Sequence, residues 1–234
     1  MTTMTQQTND IYEALQALHS EEKRLFLPHF FKTGKGEYGE GDRFMGVVVP
    51  KIRVVAKEFK DASLDTVREL LGSPWHEMRL CGLFILVLQA HKEVSKEIFN
   101  FYLSMTDRIN NWDLVDLSAP QIVGGYLIDK PRDRLYRLAE SPLLWENRIA
   151  MVATHTFIRR GDLEDTYRLA TKMMSHPHDL MHKAIGWMLR EAGKKDSERL
   201  YDYVEAHRQE MPRTMLRYAI EKFDGATRQW LMRK

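Results

Sequence analysis

The chain has 234 residues, enough for one large domain or two small ones with an ample core. Its 44% hydrophobic and 29% charged residues are those of a soluble globular protein. The net charge of +2 is uneven: residues 1–117 carry 14 Lys+Arg against 17 Asp+Glu, and the second half holds a basic surplus. A polyanionic partner or plain solvated helix faces would explain that surplus equally well.

The single cysteine, Cys81, excludes a disulfide framework or a cysteine zinc site within one chain and suits a reducing cytosol, so a cytoplasmic location is expected. It lies in the apolar run Leu80–Leu88, which is shorter than the roughly 20 residues a membrane helix needs. A buried core helix is therefore expected there, and no membrane partner. The start, Met1 to Asp10, is polar and lacks the basic-then-apolar pattern of a secretion signal.

In chain order, residues 10–27 predict one amphipathic helix, with Ile11, Ala14, Leu15 and Leu18 at helical spacing and Pro28 beginning or breaking the next turn. The only glycine-rich segment, residues 34–42, lacks the Gly-Lys-Ser/Thr ending of a phosphate-binding loop. A flexible loop is expected, with a ligand-covering role left open. Pro50 to Phe59 predicts a helix with proline in its first turn, Ser63 caps a helix through Leu71, Gly72-Ser73-Pro74 breaks the pattern, and a third helix follows through Leu88.

A basic residue followed closely by a small one recurs at Arg79-Leu80-Cys81, Arg148-Ile149-Ala150, Lys183-Ala184 and Arg217-Tyr218-Ala219. The spacing implies a period near 35 with a further unit near residue 114, the mark of a helical solenoid with two helices per unit. Small residues at these points would let neighbouring helices approach closely. The expected fold is all-α: an α-solenoid of HEAT-like helix pairs with a concave groove, forming a single domain over residues 1–234 with the 34–42 loop as an insertion.

The unit near residue 114 is Trp112-Asp113-Leu114-Val115-Asp116. On a helix, Trp112 and Asp116 share a face, and Asp113 points about 100° away, which suggests a solvated or capping group. Equivalent positions of successive repeats would bring Trp112 and Asp116 into line with Trp145 and Arg148, and then with Lys183, Trp187 and Arg190. Any one indole is more simply core packing, but several beside charged residues suit a nucleic-acid groove, with cations on phosphates and indoles on bases or sugars.

From about Phe44 to the C-terminus the sequence resembles the AlkD-like DNA alkylation repair glycosylases, which are built of HEAT-like repeats. The resemblance is carried by Trp112–Asp116, Trp145–Ala150 and Lys183–Glu191, with support from Gly46–Pro50 and Pro212–Ile220. It implies that Asp116 is the catalytic carboxylate, that Trp112 and Trp187 hold the damaged nucleotide, and that Arg148 holds the DNA backbone. It further implies excision of cationic N3- and N7-alkylated purines from duplex DNA by a monomer without a cofactor or metal. Some family members do this without extruding the base into a pocket. Lys183 and Arg190 are further expected DNA contacts. Two features of one family member differ: its glutamine two residues before the proline matching Pro50 is Val48 here, and its aromatic pair is Asp179-Leu180. Those departures motivate an alternative, a non-catalytic DNA-structure-binding protein, and a protein-interaction solenoid is a third possibility.

Other residues are less suggestive. His176, His178 and His182 cluster around Pro177 with no partner at zinc spacing. His155 is expected to be structural, and Cys81 has no nucleophile signal. Lys194-Lys195 is expected in a solvated turn, with Arg190 and Lys194 in reach of phosphate as a minor option. Arg159-Arg160-Gly161 has the form of a helix C-terminus.

Overall fold

In a computed structural model, the described residues are 5–91 and 93–233. Residues Met1–Met4 of the polar start lie outside them. The described residues form helices, with one isolated backbone bridge between Arg43 and Trp75 and no longer strand pairing. They group into two compact units, residues 1–122 and 123–234.

In the first unit, the stretch expected as one helix is two: α1 (Gln6–Gln16) and α2 (Glu21–Phe30). The break is caused by Ser20, whose side chain accepts from the Lys23 N–H and caps a helix opening on Glu21 and Glu22. Pro28 sits inside the last turn of α2, which ends two residues later. Helix α2 buries no residue completely, and Phe26 and Phe30 stack on its surface with ring centres 5.8 Å apart.

Helix α3 (Val49–Glu58) carries Pro50 in its first turn, and α4 (Leu64–Gly72) is capped by Ser63, which accepts from the Thr66 N–H. Both pack on α5 (His76–Gln89), and α1 lies against all three. Helix α5 is the centre of this unit: every residue from His76 to Leu86 is buried. It therefore has no solvent face along that length, and its charged residues need partners in the interior. Helix α6 (Lys96–Leu103) brings Tyr102 to the Ser118 hydroxyl at 2.9 Å, and Ser118 donates to the Leu114 carbonyl. These bonds anchor the end of α7 (Trp112–Asp116), which also touches α5.

The second unit begins with the short turn α8 (Gly125–Leu127) and α9 (Asp133–Ala139). It continues with α10 (Leu144–Arg159), α11 (Glu164–Lys172) and α12 (Asp179–Gly193). The unit ends with α13 (Ser197–His207), α14 (Arg213–Ala219) and α15 (Gly225–Leu231). Helices α9 and α11 pack on α10, α11 and α13 pack on α12, and α12 contacts both α10 and α14. Helix α10 ends at Arg159, and Gly161 comes next but one with φ +84°, the left-handed conformation expected of a glycine past a helix end.

All four basic-then-small points lie on helices, at α5, α10, α12 and α14, and their small residues Cys81, Ala150, Ala184 and Ala219 are buried. Two of the basic residues are interior as well. Arg79 donates to the Ser73 carbonyl at 3.0 Å, and Arg148 donates to the Leu180 carbonyl at 2.6 Å. Close approach of α12 to α14 depends on Gly186. A methyl there would lie 2.5 Å from both the Met215 carbonyl oxygen and Tyr218 Cβ. Gly186→Ala is expected to destabilise the protein by about 1–3 kcal/mol through overpacking, measurable as a lower urea midpoint.

Candidate active site

Helix α7 is only five residues long, so its position depends on its attachments. Asn111, fully buried, accepts from the Trp112 N–H at 2.8 Å and starts the helix. Asp113 is also buried, which overturns the solvated half of the expectation of a solvated or capping group. One of its oxygens accepts from the Leu114 N–H at 2.9 Å, and the other meets His76 Nε2 at 2.8 Å. The offset of about 100° from Trp112 turns Asp113 towards His76 of α5 and away from water.

His76 is held from both sides. Its Nδ1 lies 3.3 Å from Asp42 Oδ2, and the other Asp42 oxygen forms a 2.7 Å ion pair with Arg79. Asn110 donates to Asp42 as well, at 3.3 Å. The rings of Phe44 and Phe31 lie 4.6 Å and 4.9 Å from the imidazole centre. Two carboxylates thus face one imidazolium and one guanidinium in a buried cluster whose formal charges cancel.

Burial alone would push the His76 pKa down, but the charge and hydrogen bond of Asp113, with help from Asp42, raise it to about 9. Because the folded pKa lies above the unfolded value, the stabilisation is full below about pH 6.5 and is lost as pH rises through 9. Between pH 7 and pH 10 the protein is expected to lose ~2–3 kcal/mol of stability. A His76→Gln variant should lack this slope in urea titrations run across the same range.

The glycine-rich segment is correspondingly not a freely solvated loop. Its last residue, Asp42, enters the buried cluster, and Gly39 is buried, its N–H bonded to the Lys32 carbonyl. Immediately after it, the His76 N–H bonds the Arg43 carbonyl at 2.8 Å. The next buried charge, Glu77, accepts from the N–H groups of Met45, Gly46 and Val47 at 2.9, 2.8 and 3.1 Å. Three converging N–H groups satisfy this carboxylate, and Gly46 at φ +88° allows the backbone to present them.

These attachments enclose a cavity of about 380 Å³ in the first unit. Its walls are Leu27 and Phe30 of α2, Phe31, Phe44, Val47–Val49, Ile52, Leu80, Trp112 and Leu117. Its polar lining is His76, Glu77, Asp113 and Asp116. Trp112 and Asp116 are both partly exposed and face this one space, as their four-residue spacing predicts. Phe31 stacks on the Trp112 indole at 5.2 Å, and Phe30 meets it edge-on at 5.9 Å.

The other expected site residues belong to the second unit. Lys183, Trp187 and Arg190 succeed one another along one face of α12, all partly exposed. Lys183 pairs with Asp179 at 2.8 Å, and Arg190 pairs with Glu221. Arg148 is 5% exposed. The His155 ring lies 6.0 Å from Trp187, and burial lowers its pKa. The three histidines near Pro177 serve structure: His176 bonds Asn147, His178 caps α12, and His182 bonds the His176 carbonyl.

Sequence reasoning missed His76, Asp42, Glu77 and the phenylalanine wall. One signal was available. His76, Glu77 and Arg79 open a helix that is otherwise continuously apolar, so their charges have no solvent face to occupy.

The fold is that of a known class. It is similar to a solved structure described as a predicted DNA alkylation repair enzyme from Enterococcus faecalis, with a TM-score of 0.69 and 13% sequence identity. That match covers 88% of this chain and 97% of the other. The family model for DNA alkylation repair enzymes matches residues 11–223, and the chain belongs to that family. No curated protein sequence matches it significantly.

Proposed function

We propose that the chain is a monofunctional DNA glycosylase that excises cationic N3- and N7-alkylated purines from duplex DNA. The observation that carries this is the convergence of Asp116 and Trp112 on a cavity with aromatic walls. Among the described residues, that cavity's lining holds no lysine or arginine. Such a site favours a positively charged ring.

An N-alkylated purine already bears its positive charge, so its departure needs no general acid. The C1′–N bond breaks, its electron pair neutralises the base, and the deoxyribose acquires oxocarbenium character. Asp116 stabilises that charge and orients the water that adds to C1′. The proton lost by that water passes to the carboxylate or to solvent, leaving an abasic sugar. One carboxylate suffices where neutral glycosides use two. The family resemblance assigns Trp112 and Trp187 to the lesion nucleotide and Arg148, Lys183 and Arg190 to the DNA backbone; of these, Arg148 is buried and ties α10 to the Leu180 carbonyl of α12, which leaves Lys183 and Arg190 as the proposed backbone contacts. This chemistry requires no metal or cofactor.

The stacking of α10, α12 and α14 supports HEAT-like helix pairing within the second unit, and we propose that the chain acts as a monomer in the cytoplasm. No described helix is long and apolar enough to cross a membrane. Release of 7-methylguanine and 3-methyladenine from alkylated duplex DNA tests the assignment. The protein should release both above the spontaneous rate.

The departures at Val48 and Asp179-Leu180 favour a second function. A non-catalytic DNA-structure binder on the same scaffold would show salt-dependent DNA affinity but no base release.

A further inference from the structure

We infer that the second unit grips the phosphate backbone of duplex DNA in a hollow at its C-terminal end, through Arg217 of α14, Arg228 of α15 and Arg233 just past α15. This inference rests on the proposed action on DNA and adds a contact made by residues outside the site described above. The charge of the hollow, its continuity with α12 and the way α15 is held support it.

The hollow has a volume of about 640 Å³ and a floor that includes Ile220 and Met232. Arg217, Arg228 and Arg233 line it, and all three are exposed. Among the described residues, no carboxylate pairs with any of them. Glu221 is the one carboxylate in the described lining, and it is engaged with Arg190 and, at 2.9 Å, with Lys222. Three cations therefore share a space on the order of 10 Å across, about one Debye length at 0.1 M salt. Their fields add there, and an anion entering the hollow relieves their mutual repulsion.

The hollow continues a line of basic residues. Of the four basic residues that precede small ones, Arg79 and Arg148 are interior, and Lys183 pairs with Asp179 at 2.8 Å. Arg217 is the fourth, and it alone of the four is exposed with no carboxylate partner among the described residues. Glu221 links the hollow to Arg190 of α12, so the arginines follow directly on the α12 face that carries Lys183 and Arg190.

The last helix is fixed without a ligand. Leu231 is fully buried, and Arg208 and Arg213 donate to the carbonyls of Arg233 and Met232, the second at 2.6 Å. The Arg208 guanidinium also lies 4.9 Å over the Trp230 ring. A carbonyl accepts a hydrogen bond but cancels no charge, so both arginines add to the positive field. Because α15 is held in advance, little ordering of the backbone opposes binding. A guanidinium matches two phosphate oxygens at once, and repeated phosphates suit several guanidiniums. No aromatic ring stands among the described lining residues, so the hollow offers bases no stacking surface. It therefore positions DNA without reading its sequence.

The test is the salt dependence of binding of the full chain to a fluorescein-labelled undamaged duplex, followed by anisotropy. The variant Arg217→Gln/Arg228→Gln/Arg233→Gln should lower the slope of log affinity against log salt by about 2 or more, and should bind at least about 10-fold more weakly near 0.1 M salt. Its circular dichroism should match wild type, since all three side chains are exposed. Arg134→Gln/Arg137→Gln/Arg160→Gln removes the same charge from exposed positions elsewhere in the unit and should change the slope by less than about 1. Equal losses in the two variants, an unchanged slope in the first, or no DNA binding by wild type would overturn the inference. Calorimetric titration with inorganic phosphate distinguishes the backbone from a free anion. Saturable submillimolar phosphate binding that the first variant loses would assign the hollow to a small anion and overturn the DNA contact. Base release by wild type, measured in parallel, separates the two levels. Release with an unchanged slope in the first variant overturns the hollow and leaves the glycosylase standing. A lowered slope without release supports the hollow and removes the glycosylase.

Discussion

Asp116→Asn is expected to lower release of 7-methylguanine from duplex DNA by about 100-fold or more, with the fold intact. The substitution keeps the side chain's shape and one of its oxygens while removing the charge that faces the developing cation. Asp116 is partly exposed at the end of α7, so the loss of charge costs little in folding. DNA affinity should change little, because a single carboxylate at the cavity contributes no attraction to phosphate. The signature is therefore a fall in single-turnover rate at near-constant binding. A fall in both would point to a displaced α7 instead.

His76→Ala is expected to destabilise the protein by about 3–5 kcal/mol, the usual cost of breaking a buried ion pair from one side. Without the imidazole, Asp42 and Asp113 remain in the interior with only Arg79 to balance them. Against a typical total of about 5–15 kcal/mol, this is a large fraction. The effect should be smaller for Asp113→Asn, which retains an acceptor for His76 and removes one of the two carboxylates. His76→Ala should also release α7 from α5 and so reduce base release, since α7 carries both Trp112 and Asp116. Urea unfolding of the three proteins at pH 7 checks the order of falling stability: wild type, then Asp113→Asn, then His76→Ala.

Local rules carried much of the fold. Ser63 marks a helix start, Pro50 a first turn and Gly161 a helix end, and each signal acts within a few residues. The basic-then-small spacing fell on four helices with buried small residues, because a repeated packing contact leaves a repeated trace. The same rules failed at Ser20, where a serine before two glutamates caps a new helix inside what looked like one amphipathic run.

The site was half legible. The Trp112 and Asp116 spacing placed both on one face, and they do line one cavity. The role of Asp113 was not legible, because its partner His76 is 37 residues away and no periodicity connects them. Asp42 sits 34 residues from His76 at the end of a glycine-rich segment whose composition signals only a loop. The cavity walls come from α2, the chain after the loop and α7, and their convergence is a tertiary fact. Arg148 shows the opposite limit: a basic residue that resemblance directs towards DNA is almost wholly inside the second unit.

The most direct measurement of the central claim is base release under single-turnover conditions from two duplexes that differ in one lesion. One carries cationic 7-methylguanine and the other neutral O6-methylguanine. With one carboxylate and no general acid, the protein should excise the first and leave the second at background. Comparable excision of the neutral base, or failure to excise either, would contradict it.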